Sequence, residues 1–207
     1  MRQALRHGYV NRVDVIEGTD RDENLVGTAT TAAQYASLVD TQYGPFASQV
    51  LARYPLSRFD SPGLAWRTVA ADSDTVCPAL SIGAALADRM PTREYEIDDN
   101  DLPPYRASGA GVVAAGASHV GGWFVTPTAT PLDANQQVLQ NQELAFVTSF
   151  ARNGDADATA MPRWPMLNHS GQVMSLQPAE DSQLVTTEQM AAQHNCEFWD
   201  HVARQAP

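Results

Sequence analysis

Val13-Asp-Val-Ile-Glu17 runs without a break into Gly18-Thr-Asp-Arg-Asp-Glu-Asn24, and this stretch decides the fold class. Val13 and Val15 alternate with polar neighbours, which is the period of a β-strand, and Gly18 with the acidic residues after it marks a loop. Helical sequence follows. Thr30 to Val39 and Pro45 to Tyr54 predict two short helices broken at Tyr43-Gly44-Pro45. Ser61-Pro62 opens a third helix through about Ala71, with proline in the first turn, where its missing N–H is tolerated. Pro78 opens a fourth through Arg89, rich in Ala, Leu and Ile on several faces, as buried helices are.

Further along, Arg93 to Ile97 predicts a second strand, in which Tyr95 and Ile97 alternate against Glu94 and Glu96. An acidic, proline-containing loop from Asp98 to Pro104 and a Gly/Ala-rich stretch from Ala107 to Gly122 follow. Asn135 to Arg152 is the clearest helix: Leu139, Glu143, Phe146, Val147 and Phe150 fall at helical spacing, Asp133 or Asn135 can cap its start, and Gly154 can end it. Val173 to Leu176 predicts a third strand, and Thr186 to Ala203 a closing helix with Gln189 placed for a capping box. Strands alternating with helices give an α/β chain, mostly helical, with few strands. A three-stranded parallel sheet leaves edges that need covering or pairing.

Composition narrows the function classes. The chain of 207 residues is 43% hydrophobic, enough for a core, and carries 24 acidic against 13 basic residues for a formal charge of −11. Such a chain repels phosphate, which disfavours nucleic acid as a partner. All 13 basic residues are arginine, scattered rather than clustered. No apolar run approaches the roughly 18 residues of a membrane span, and the opening MRQALRHG has no apolar core like that of a signal peptide.

Several motifs fail on inspection. Asp20 to Asn24 begins like a calcium loop, yet Leu25 and Thr31 stand where glycine and a bidentate glutamate are needed. Asp98-Asp99-Asn100-Asp101 lacks ligand spacing and reads as a solvated turn. His194 and His201 are seven residues apart, too far for the i, i+4 zinc arrangement, and no third ligand is near. Gly109-Ala-Gly111 with Gly116 lacks the spacing of a phosphate loop. No metal or cofactor is expected. Three features remain: the acid Glu23 in a loop after a strand, His119 in the small-residue loop Gly116-Ala-Ser-His119, and the widely separated Cys77 and Cys196. An acid after a strand, then a later histidine in a loop, is the order of those two groups in α/β-hydrolases.

Six segments, in order and over almost the whole chain, resemble the type-B carboxylesterases, the family of cholinesterases and bacterial para-nitrobenzyl esterases. Gly18-Thr-Asp-Arg-Asp-Glu23 is similar to the family's G-x-N-x-D-E-G, and Asp72-Ser-Asp-Thr-Val-Cys77-Pro78 to its D-x-x-x-x-C-P. Gly116-Ala-Ser-His119 is similar to G-A-x-H, Phe150 to Asp155 to F-A-x-x-G-D-P, Trp164-Pro165 to W-P, and Cys196-Glu-Phe198-Trp199 to C-x-F-W. The chain departs from the pattern at Asn24, where the family has glycine, and at Gly122, where it usually has a glutamate.

The resemblance implies that residues 1–207 are the C-terminal part of an α/β-hydrolase domain, with Glu23 as the triad acid and His119 as the catalytic base. No G-x-S-x-G occurs, so the nucleophile-bearing N-terminal part is expected to be absent and the chain alone inactive. The implied substrate of the full-length enzyme is a small-molecule ester. The resemblance also implies a Cys77–Cys196 disulfide, and with it a secreted or periplasmic setting. Two other readings stay open: a non-catalytic, adhesion-like relative, and one chain of a split esterase that reassembles with an N-terminal piece.

Overall fold

The computed structural model describes residues 7–22, 29–99 and 131–205. Four strands form one sheet in the order β1 (Val15–Asp20), β2 (Thr92–Ile97), β3 (Gln172–Leu176) and β4 (Gln183–Thr186). β1, β2 and β3 run parallel, and β4 returns antiparallel on β3. The sheet therefore has one strand more than the sequence predicts. β4 is only four residues long and runs straight into a helix, so its alternation is too brief to stand out.

The helices between β1 and β2 follow the predicted breaks. α1 (Ala32–Tyr43) is capped by Thr31, whose side chain accepts from the Gln34 N–H, and a short 3₁₀ turn at Gly44–Phe46 leads into α2 (Ala47–Arg53). α3 (Pro62–Ala71) is capped by Ser61 and has proline in its first turn. A π-helical turn, Asp72–Val76, then joins it to α4 (Cys77–Ala87) without a loop. α5 (Ala134–Asn153) starts with a full capping box between Asp133 and Gln136 and ends at Gly154, which adopts a left-handed φ of 70°. α6 (Leu167–Ser170) is a single turn before β3.

The predicted closing helix is two helices, α7 (Thr187–Gln193) and α8 (Cys196–Gln205). The break falls at His194-Asn195, where Asn195 takes a φ of 53°, a conformation asparagine tolerates better than most residues. The capping box of Thr186 and Gln189 does open α7.

The pleat sorts the strand residues onto two faces, and helices cover both. One face carries Tyr95, Ile97, Met174 and Leu176, packed with Leu139 and Phe146 of α5 and with Trp164. Trp164 is pinned there by an N–H bond from its ring to the Glu94 carbonyl, 3.1 Å long, while its own carbonyl accepts from Arg93 at 3.0 Å. The other face carries Glu17, Glu94 and Glu96 along with Val173, which packs against Val76, Leu167 and Met190. Both halves of the alternation in β2 are thus covered, and Glu94 and Glu96 are each 1% exposed. A third cluster, built from Tyr35, Val50, Trp66, Val69 and Trp199, holds α1, α2, α3 and α8 together. Gly18 lies opposite Tyr95 in the register, where a Cβ would overlap the Tyr95 ring and carbonyl.

Candidate functional site

Glu23 and His119 lie outside the described residues. What the structure does establish is the position of the strands that lead to them. β1 ends at Asp20, three residues before Glu23, and β2 ends at Ile97, upstream of His119. Asp20 and Ile97 are register partners, and both strands point the same way. The chain therefore leaves β1 and β2 at neighbouring carboxyl ends, the edge at which open α/β sheets place their ligands.

That edge is tied together by polar contacts. Arg21 Nη1 lies 2.8 Å from Asp98 Oδ2, linking the residue after β1 to the residue after β2. Burial raises the Asp98 carboxyl above the ordinary range, although Arg21 pulls it back. Thr68 of α3 donates to Asp22 at 2.6 Å, and Gln136 of α5 donates to Asp99 at 3.2 Å. Asp98 is therefore bound to Arg21 and Asp99 to α5 rather than forming the expected solvated turn, and Asp99 is 2% exposed. Asn100 and Asp101 of that run lie outside the described residues.

The most concentrated titratable chemistry among the described residues sits deeper. His194, at the end of α7, places Nδ1 2.5 Å from Asp72 Oδ1 and Nε2 2.6 Å from Glu96 Oε1, the second being an oblique ionic contact. Tyr54 donates its hydroxyl to Asp72 Oδ2 at 2.7 Å and accepts from the Trp199 ring N–H at 2.7 Å. Burial opposes charge on His194, but Asp72 and Glu96 outweigh it and push the imidazole up to about 9. Burial also raises Asp72 despite its bonds from His194 and Tyr54, so the proton between them belongs to the pair. The π-helical turn aims Asp72 inward, and the break at Asn195 turns His194 toward it.

A histidine held by a carboxylate is half of a nucleophile-activating arrangement, yet here both imidazole nitrogens are taken by carboxyl groups, which leaves neither for a nucleophile. The network is a structural brace. The sequence reading paired His194 with His201, but the two occupy different parts of the break and of α8, and His201 is exposed. The visible trace of the brace was Asp72, five residues before Cys77. Its partners come from three distant segments that no local spacing connects.

Cys77 and Cys196 form a disulfide across 119 positions of sequence. It fastens the start of α4 to the start of α8, beside the brace. A shallow cleft of about 560 Å³ runs along it, lined by Ser81, Ala84, Asn168 and Thr187. A second feature of the sheet is the neighbouring pair Glu17 and Glu94. Burial pushes the Glu94 carboxyl up to about 9, with the charge of Glu17 adding to it, and burial pushes Glu17 up to about 7. No group of three or more His, Cys, Asp or Glu residues among the described residues is arranged to hold a metal. No described helix is long and apolar enough to cross a membrane.

No protein-family model and no curated protein matches the chain. Among solved structures, that of a thermophylic PNB esterase matches with a TM-score of 0.61 at 15% identity, over 94% of this chain. The fold is esterase-like. The chain spans 40% of the length of that esterase, so the likeness covers nearly all of the one and less than half of the other. At that identity the likeness is one of fold, and the described part of this chain carries a mixed four-stranded sheet with helices on both faces.

Proposed function

We propose that this chain is the acid- and base-bearing C-terminal part of a serine carboxylic-ester hydrolase. The observation that carries the reading is the fold match over 94% of the chain to 40% of an esterase. The six esterase-like segments support it, and so does the side-by-side ending of β1 and β2, the strands that precede Glu23 and His119 in the sequence. In this reading His119 takes the proton of a serine supplied by an N-terminal part. It later returns that proton to the leaving alcohol, while Glu23 orients the imidazole and stabilises its charged form. The oxyanion hole also belongs to the N-terminal part, since its N–H groups come from the nucleophile turn and an earlier glycine-rich loop. The substrate class is a small carboxylic ester. Secretion into an oxidising compartment fits the disulfide.

The test is activity-based labelling. The 207-residue chain alone is expected to turn over no para-nitrophenyl ester and to take no fluorophosphonate. Co-expressed with a polypeptide carrying G-x-S-x-G and the preceding strands, it is expected to restore both, and His119→Ala or Glu23→Gln is expected to remove turnover from the mixture. Stoichiometric labelling of a serine in the pure chain overturns the proposal, as does restored turnover that survives His119→Ala.

A further inference from the structure

Among the described residues, β1 is paired on one side only, by β2. Over Val15–Gly18 its other side has no strand partner among the described residues, and these four residues are only half-buried, whereas Thr19 and Asp20 are buried. An edge of this kind is a template for a further strand. The side chains beside it carry an unusual charge pattern. Glu17 and Glu94 are register partners, so their carboxylates project side by side from the same face. Glu94 is 1% exposed, and neither of its carboxylate oxygens has a hydrogen-bond partner. Glu17 Oε2 is likewise buried without one. The Glu94 carboxylate lies over Gly83 of α4, in space that any larger residue would fill.

Buried carboxylates are normally matched by cations or N–H donors. Here the sheet lines up two with neither, next to an open edge. We infer that the free edge of β1 receives a strand carrying an arginine or lysine at the position beside Glu17, and that this cation bridges Glu17 and Glu94. Neighbouring strands lie about 5 Å apart, so the incoming strand stands beside Glu17 and two spacings from β2, a span that an extended basic side chain and the Glu94 side chain cover between them, and the guanidinium fork can meet two carboxylates at once. A second copy of this chain is a poor occupant, because pairing β1 with β1 brings two glutamate pairs together between chains that each carry a charge of −11. The occupant is a strand of another polypeptide segment. That it continues the sheet of an esterase rests on the proposed function; the need for a basic side chain does not.

The test uses three synthetic nine-residue peptides of alternating valine and threonine, identical except for a central arginine, norleucine or glutamate. Binding is measured by anisotropy at low salt, and backbone amide exchange locates the bound strand. The arginine peptide is expected to bind about tenfold more tightly than the norleucine peptide, to protect the edge-facing amides of Ile16 and Gly18, and to lose its advantage as salt rises. The glutamate peptide is expected not to bind. Glu94→Gln is expected to abolish the arginine preference, and Glu17→Gln, at a half-buried position that leaves the core untouched, to reduce it. Equal affinity for all three peptides, no binding by any, protection elsewhere, or self-association through β1 overturns the inference. No serine or ester enters the assay, so its failure is distinct from failure of the esterase reading.

Discussion

His194 Nδ1 lies 2.5 Å from Asp72 Oδ1, although 122 positions of sequence separate the two residues. On the other side of the ring stands Glu96, so one imidazole bridges two buried carboxyl groups from different elements. The brace ties the π-helical turn, the end of α7 and the centre of β2 to one another. Removing the histidine strands both acids in a region where neither reaches water. His194→Ala is expected to destabilise the chain by about 3–5 kcal/mol, the usual cost of breaking a buried pair from one side. Urea unfolding followed by tryptophan fluorescence measures it, and a loss below about 1 kcal/mol counts against the brace.

The same groups set how stability depends on pH. His194 is raised from 6.5 to about 9 in the folded chain, so its contribution is complete below pH 6.5 and is lost as pH climbs toward 9. Glu94 is raised from 4.5 to about 9, so folding favours its protonated form and stability falls as pH rises across that wider window. Glu17, raised to about 7, acts in the same direction. The thermal midpoint is expected to decline from about pH 5 to pH 9, with His194 and Glu94 each contributing on the order of 1 kcal/mol per pH unit within its window. Glu94→Gln is expected to flatten the curve below pH 6.5, where His194 does not yet titrate. A midpoint that rises steadily over this range refutes the assignment of these groups.

Most of the helical framework was legible in the sequence, because its signals are local. Ser61-Pro62, Asp133 as one of two candidate caps, Gly154 and Thr186 with Gln189 each act within a few residues, and each does what its chemistry predicts. β1 and β2 were legible in type but not in environment. The alternation in β2 separates two chemistries without saying that α4 covers the acidic face as closely as α5 covers the other. β4 and the break at Asn195 were missed because one strand is four residues long and one left-handed residue leaves the helical period on either side unchanged. The brace was illegible for a different reason: Tyr54, Asp72, Glu96, His194 and Trp199 converge only after the chain has folded. The Cys77–Cys196 disulfide, implied by resemblance rather than by spacing, is present.

That disulfide closes a loop long enough for loop-closure entropy to matter. With 119 positions between its ends, the chain-entropy account gives roughly 4–5 kcal/mol. The double variant Cys77→Ala/Cys196→Ala is expected to lose about 2–5 kcal/mol, as removal of native bridges commonly does. The loosening is expected to be uneven. α8 contributes Trp199 and Val202 to the helical cluster, and Cys77 belongs to the same cluster. Amide exchange in the variant is therefore expected to rise first in α8 and the start of α4, with β2 and β3 remaining protected. Equal exchange rates in α8 with and without the bridge tell against this role.

Gly18 is a tight point of the β1–β2 pairing. It faces Tyr95 across the β1–β2 ladder, and the Tyr95 ring and carbonyl occupy the space of a Cβ at that position. Tyr95 cannot easily yield, because it packs edge-on against Trp164 at 6.1 Å, and Trp164 is wholly buried against Phe146. A side chain at residue 18 must therefore push the two strands apart or displace the aromatic cluster. Gly18→Ala is expected to cost about 1–3 kcal/mol by overpacking, and Gly18→Val more. The damage should concentrate where Asp20 pairs with Ile97, two residues beyond the intrusion, and so loosen the Arg21–Asp98 contact at the carboxyl ends of both strands. If Glu23 and His119 are delivered from these two ends, Gly18→Ala in an active, reassembled esterase lowers kcat by more than its loss of stability alone explains. Urea unfolding and steady-state kinetics on the same preparation separate the two effects. Unchanged stability and unchanged kcat together show that the Gly18–Tyr95 contact sets neither the strand pairing nor the site.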